Sequence, residues 1–191
     1  MTGYSLVGGK MFVHYLHNVS SQIKIFDLDG KQLGELELPG IGSAGLPSGR
    51  WESSEAFFGF NSFTTPYTIY RYDVATGEKE VWSQLKIPVK TDKFEVKQVW
   101  YESKDGTKIP MFIIHKKGLK LDGKRPTMLG GYGGFNVSCT PGFDSRAVMW
   151  AEEGGVWAIA NLRGGGEFGE AWHRAGMLDK KQNVFDDFIA A

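Results

Sequence analysis

From Lys10 to about residue 88, apolar and polar residues alternate in short runs: KMFVHYLH, SQIKIFDLDGKQLGELELP, AFFGFNSF and YTIYRYDVATGEKEVWS. This alternation limits the possible folds more than any other feature, because a strand turns successive side chains to opposite faces whereas a helix does not. Asp-Gly and Thr-Gly pairs between the runs are hairpin turns. The half is expected to be antiparallel sheet without a helix.

It also repeats. IKIFDLDGKQLGELEL and TIYRYDVATGEKEVW share an aromatic, an Asp and an apolar residue, then Gly and a polar strand, with Asp27 and Asp73 standing 46 positions apart. A unit of about 40–50 residues made of short strands resembles one blade of a β-propeller; a meander of similar hairpins is the alternative. Blades bury their faces against neighbours and at least three are usually needed, so further blades are expected before Met1. GIGSAGLPSG, 40–49, reads as a loop between units.

Past Lys90 the pattern changes. FEVKQVWYES, 94–103, and KIPMFIIHKK, 108–117, read as strands across the turn KDGT, with TMLGGY, 127–132, as a third short run. SRAVMWAEEGG, 145–155, fits a short helix with a glycine stop, and the continuously apolar VWAIANL, 156–162, a buried parallel strand. Strand, helix and strand in that order imply a sheet covered by helices, so residues 89–191 are expected to open an α/β domain after propeller-like residues 1–88. MLDKKQNVFDDFIAA, 177–191, starts like a helix with Val184, Phe185, Phe188 and Ile189 on one face. It lacks a helix stop, and the expectation is a fragment cut at both ends.

Bulk chemistry excludes several classes. Twenty-two basic residues balance 22 acidic ones, which invites neither nucleic acid nor an anionic membrane. No apolar stretch approaches the roughly 20 residues that span a bilayer, and the N-terminus lacks the basic start and apolar run of a secretory signal. The single cysteine, Cys139, suits a reducing compartment, and a cytoplasmic location is expected. His14, His17 and His115 have no Cys, Asp or Glu at ligand spacing, so neither a metal nor a cofactor is expected. Asn18 and Asn136 are formal glycosylation acceptors with little weight in such a context.

The chemistry concentrates in the glycines. GGYGGF places Gly130, Gly131, Gly133 and Gly134 around Tyr132, with Phe135 behind, after the third strand-like run TML. In α/β-hydrolases the loop after the third strand donates part of the oxyanion hole, where the backbone must pass close to the reacting carbonyl. A phenol projecting from such bare backbone is a suitable donor to a developing O⁻. A tight turn with Tyr132 and Phe135 packed into a core is the bland alternative.

Three other candidates are weaker. IGSAG, 41–45, has Ile41 where the Gly-x-Ser-x-Gly elbow needs glycine, and Ser43 reads as a loop serine. GGGEFG, 164–169, satisfies Gly-x-Gly-x-x-Gly with Asp186 and Asp187 some twenty residues on, but Glu167 and two further glycines interrupt the required helix, so a dinucleotide site is the minor reading. His173 reads as a packed or surface histidine.

LGGYGGFNVS followed by GGVWAIANLRGGGEFGEAWHRAGMLDKKQNVFDDF closely resembles the prolyl oligopeptidase family of serine peptidases. The resemblance implies a β-propeller that admits only short peptides, capping an α/β-hydrolase domain with a Ser-Asp-His triad. It also implies that Tyr132 donates its hydroxyl to the oxyanion, that Phe135 lines the pocket for the substrate proline, and that the parent is a monomer acting on short proline-containing peptides. The family's nucleophile motif, Gly-Gly-Ser-Asn-Gly-Gly, does not occur in these 191 residues, so the triad is expected beyond Ala191 and the isolated chain is expected to be inactive. A non-catalytic binding protein with a propeller-like surface is the second reading.

Overall fold

The alternating runs of the first half fold as two antiparallel sheets in the computed structural model, which describes residues 1–191. The chain divides into two units, residues 1–89 with 141–143, and residues 90–140 with 144–191. In the first unit, β1 (Gly3–Val7), β2 (Lys10–His17), β3 (Ser20–Phe26) and β4 (Gln32–Glu35) form one sheet in sequence order. The second sheet contains β5 (Ser43–Ala44), β6 (Ser48–Gly49), β7 (Glu55–Asn61), β8 (Thr68–Asp73) and β9 (Lys79–Gln84); β5 and β6 both pair with β7.

Period-two alternation decides which side chains meet. Ala56, Phe58 and Phe60 of β7 turn inward and share one core with Phe12, Ile23, Ile25, Tyr72 and Val74. Tyr72 packs edge-on against Phe12 of the other sheet, with ring centroids 6.1 Å apart. Each large apolar side chain buried there contributes about 1.5–3 kcal/mol.

The repeat seen in the sequence has a structural cause. Asp27 and Asp73 both stand where the third arm of a sheet turns into its outermost strand. The Asp27 carboxylate accepts Lys31 N at 2.8 Å, while that of Asp73 accepts Ala75 N and Thr76 N, each at 2.8 Å. Each backbone also closes a hairpin at this point, through Asp27 N to Lys31 O at 3.0 Å and, with one residue more in the turn, Asp73 N to Glu78 O at 2.9 Å. The segment 40–49 differs from its expectation as a loop. Two dipeptides in it pair with β7 and supply the first arm of the second sheet, through backbone bonds that need no apolar alternation. Ser43 lies in β5 and donates its hydroxyl to Pro141 O at 2.6 Å, without a strand-to-helix elbow around it.

The second unit contains β10 (Phe94–Glu102), β11 (Lys108–Lys116), β12 (Thr127–Tyr132), α1 (Ser145–Glu152), β13 (Val156–Asn161), α2 (Glu170–Arg174) and α3 (Gln182–Ala190). Its sheet has the order β10-β11-β13-β12, with β12 and β13 parallel and the other pairs antiparallel. Asp144 caps α1 by accepting Arg146 N at 2.9 Å, and Gly154 ends it at φ 85°, a conformation that penalises any side chain. Ala147, Val148 and Ala151 of α1 are buried, as are Val156, Ala158 and Ala160 of the central strand β13. A small-residue helix face thus brings α1 against β11 and β13.

The third run, TMLGGY, is β12 over its whole length, so Gly130 and Gly131 lie within the strand rather than in a loop after TML, and Tyr132 has Asn161 as its register partner. In α3 the buried residues are Val184 and Asp187, while Phe185, Phe188 and Ile189 are exposed. A carboxylate in ion-paired contact has displaced the apolar face expected from periodicity. No helix is long and apolar enough to cross a membrane.

Candidate active site: the tyrosine loop

Tyr132 is the last residue of the parallel strand β12 and keeps 43% of its surface exposed. Behind it, Gly133 and Gly134 are buried and the chain turns towards α1. Only glycine fits at Gly133, because a Cβ there would stand 2.2 Å from Arg163 O, 2.7 Å from the Leu162 Cβ and 2.9 Å from Val184 Cγ1. The absence of a side chain lets this loop lie directly on the segment leaving β13. Tyr132 and Gly133 line a cavity of about 240 Å³ with Gly131, Leu162, Lys181, Val184, Phe185 and Phe188. The Tyr132 hydroxyl stands 3.4 Å from the point that a Cβ on Gly134 would occupy.

The loop then takes a costly backbone path. Phe135 and Asn136 have φ of 50° and 57°, in the left-handed region that side-chain-bearing residues avoid. Such a conformation costs about 1–3 kcal/mol per residue and persists only where neighbours enforce it. Here Val137 N donates to Gly134 O at 3.0 Å, and Asn136 N to Gly164 O at 3.2 Å. The Phe135 ring is consequently held out at 87% exposure. It is not among the residues lining the Tyr132 cavity, so the structure brings Tyr132, Gly131 and Gly133 together there but not Phe135. Gly130 lies inside β12, where a Cβ would meet Ile159 Cδ1 at 3.2 Å; its bareness serves sheet packing.

The glycines at 164–169 serve the same loop. Gly164 O accepts both Asn136 N and the His173 ring Nδ1, the latter at 2.7 Å. Glu167 is buried, and its carboxylate accepts Cys139 N at 3.0 Å and the Asn161 amide at 3.3 Å. Its neighbour Asn161 also donates to Cys139 O at 2.9 Å. Burial first, then the Glu167 charge, pushes the Cys139 thiol up. Cys139 is therefore a poor nucleophile, since the thiolate is the reactive form. His14 and His17 lie in β2 and His115 in β11, and no group of three or more His, Cys, Asp or Glu is placed to hold a metal ion.

A buried ion-pair network escaped the sequence reading. Asp187 has 0% exposure and faces Arg163, which follows β13 by two residues. Arg163 Nη2 donates to Asp187 Oδ1 at 2.6 Å, Nε to Oδ2 at 3.0 Å, and the backbone N of Arg163 to Oδ2 at 3.1 Å. The guanidinium also reaches Asp105 Oδ2 at 2.6 Å, and Ser103 donates to Asp187 Oδ1 at 2.6 Å. This bidentate geometry is the arrangement in which arginine binds carboxylate best. A signal did exist: Asp187 stands three positions after Val184, on the face that a packed helix buries.

The network sets a pH window. The Arg163 hydrogen bond holds the Asp105 carboxyl well below its ordinary 3.8, with Thr107 assisting. Burial, then the Asp187 charge, pushes the Tyr101 phenol above its ordinary 10.0. A depressed acid adds stability that is present above its unfolded pKa and lost as pH falls; a raised phenol adds stability that is lost as pH rises past its unfolded value. Unfolding of this unit, followed against pH, should therefore show stability falling below about 3.8 and above about 10.0. Asp105→Asn should flatten the acid limb; an acid limb that is unchanged would assign it to other groups.

The chain is similar to known proteins along most of its length. Residues 1–85 match the family description "Prolyl oligopeptidase, N-terminal beta-propeller domain", and residues 141–191 match "Prolyl oligopeptidase family". The chain is 46% identical over 184 residues to a prolyl endopeptidase of Elizabethkingia miricola, covering 96% of this chain and 26% of that protein. It is 45% identical over 182 residues to prolyl oligopeptidase A of Galerina marginata (strain CBS 339.88), covering 93% and 24%. The apo structure of prolyl oligopeptidase B from Galerina marginata superposes with a TM-score of 0.90 at 38% identity, over 99% of this chain and 28% of that one. The chain thus spans about a quarter of the length of the curated relatives it matches. Identity along nearly the whole sequence, two blade-like sheets and a mixed sheet carrying the tyrosine loop all agree: the chain belongs to the prolyl oligopeptidase family, with β-propeller sequence leading into the first strands of an α/β-hydrolase peptidase domain.

Proposed function

We propose that this chain supplies the oxyanion-stabilising loop of a serine endopeptidase that cleaves short peptides on the carboxyl side of proline. The observation that carries the reading is the placement of the Tyr132 phenol at the end of a parallel strand, over backbone too tightly packed to bear a side chain at Gly133. As a serine attacks the proline carbonyl, its oxygen gains negative charge. A donor already fixed at that position stabilises the charge without reorganising, which is the basis of oxyanion-hole catalysis. The attacking serine and its Asp and His partners would come from sequence outside these residues, so the chain alone would not hydrolyse peptides. A cytoplasmic location belongs to the same reading, because the single cysteine needs no oxidising compartment.

Phe135 is assigned to the proline pocket. A ring held out from the loop at a left-handed backbone position offers a flat apolar face to a pyrrolidine ring approaching from solvent. In a full-length peptidase carrying this sequence, Phe135→Ala should raise KM for prolyl substrates about tenfold or more, with a smaller effect on alanyl substrates. Steady-state kinetics on a matched pair of chromogenic prolyl and alanyl amides tests this. Equal turnover of the two substrates by the parent protein would remove the proline assignment.

A further inference from the structure

We infer that Lys181 is a positioning residue for the Tyr132 phenol, acting through the carbonyl of Gly133; the inference rests on the oxyanion reading of Tyr132. Lys181 stands directly before α3, and its Nζ donates to Gly133 O at 2.7 Å. Gly133 is covalently joined to Tyr132, so an anchor on its peptide bears on the phenol's direction. A lysine side chain gives up much rotamer freedom when fixed, which makes a held lysine informative.

Three successive carbonyls follow the end of β12, and each is held differently. The carbonyl of Tyr132 accepts Leu162 N at 3.2 Å, and that of Gly134 accepts Val137 N at 3.0 Å. Between them, the Gly133 carbonyl depends on a side chain from a different element. The Gly133 α-carbon rests on Arg163 O, Leu162 and Val184, so the peptide is clamped sterically on one face and electrostatically through its oxygen. Val184 and Asp187 of α3 share this duty with Lys181: one touches the Gly133 position, and the other fixes Arg163. The start of α3 therefore works as a strap over the tyrosine loop.

The charge is also well placed. Lys181 Nζ lies 3.8 Å, and the Tyr132 hydroxyl 3.4 Å, from the same point, the position of a Cβ on Gly134. The two residues line the same cavity, and because the ammonium's own hydrogen bond goes to backbone it sets geometry and leaves proton donation to the tyrosine. Losing the anchor would free the Gly133 peptide to rotate, and a misplacement of about 1 Å at a reacting group can cost about 10²-fold in rate.

The test compares Lys181→Met, Lys181→Arg, Tyr132→Phe and the Lys181→Met/Tyr132→Phe double variant in a full-length peptidase carrying residues 94–191 of this chain. Turnover of a chromogenic prolyl amide and the melting temperature are measured in each. Lys181→Met keeps the aliphatic stem and should lower kcat about tenfold, with KM changing less than about twofold. Lys181→Arg should recover most of the loss. On the Tyr132→Phe background, Lys181→Met should cost less than about twofold, because the group it positions has gone. A full additional loss in the double variant, or parental kcat in Lys181→Met, overturns the inference and leaves the tyrosine assignment standing. A loss of kcat that accompanies a lower melting temperature and is not recovered by Lys181→Arg marks a structural lysine and also overturns it. Parental kcat in Tyr132→Phe removes both readings together.

Discussion

Tyr132→Phe, in a full-length peptidase carrying this sequence, is expected to lower kcat by about 10²–10³ while leaving KM within about twofold. The substitution removes one oxygen and its proton and keeps the ring that packs beside Gly131, Gly133 and Leu162. Substrate binding uses the ground-state carbonyl, which carries little charge, whereas the tetrahedral intermediate carries a full one. A donor aimed at the second therefore acts on turnover and hardly on affinity. The measurement is a kcat and KM determination on a prolyl amide, with the melting temperature as a check that the loop still folds. Unchanged turnover would end the oxyanion assignment. A rise in KM with kcat preserved would instead make Tyr132 a binding residue.

The second large effect concerns stability. Asp187→Ala should destabilise the second unit by about 3 kcal/mol, because it leaves the buried Arg163 guanidinium without its main counter-charge. The lower end of the usual 3–5 kcal/mol range applies, since the Asp105 carboxylate remains within 2.6 Å of Arg163. Adjacent Asp186 provides the control. It is only partly buried and accepts a hydrogen bond from Gln182 at 3.1 Å, so Asp186→Ala should change stability by no more than about 0.5 kcal/mol. Because the chain has two units, native-state hydrogen exchange separates them better than a single melting curve. Amides of β11 and β13 should lose about two orders of magnitude of protection in Asp187→Ala, and those of β2 and β3 should lose none. Equal losses at Asp186 and Asp187 would mean that the ion pair does not hold this unit together.

The two predictions share a physical origin. Arg163 supplies both the guanidinium bound by Asp187 and the carbonyl against which Gly133 lies. Fixing that residue fixes the backbone on which the tyrosine loop rests, and so stability of the second unit and placement of the phenol draw on the same contacts.

Much of the chain was legible without coordinates because its rules are local. Alternation in KMFVHYLH and AFFGFNSF assigned strands, since each residue's face follows from its place in the run. The Asp27 and Asp73 spacing exposed the repeat, since an Asp closing a hairpin acts within five residues of chain. The continuous apolar run at 156–160 announced a central strand, and Gly154 its entry turn. The glycine-and-tyrosine pattern indicated where backbone must run bare.

Tertiary structure decided what depends on residues far apart in the chain. That Gly133 is required by Arg163 O, that Lys181 reaches across to its carbonyl, and that Asp187 rather than an apolar residue occupies the inner face of α3 are all pairings over at least 24 positions. Periodicity could place Asp187 on the buried face but could not supply its partner, because a buried charge is tolerable only where the opposite charge and its hydrogen bonds converge in space. The sequence therefore determined the elements and the bare loop, and the fold alone determined which long-range contacts hold that loop's phenol in place.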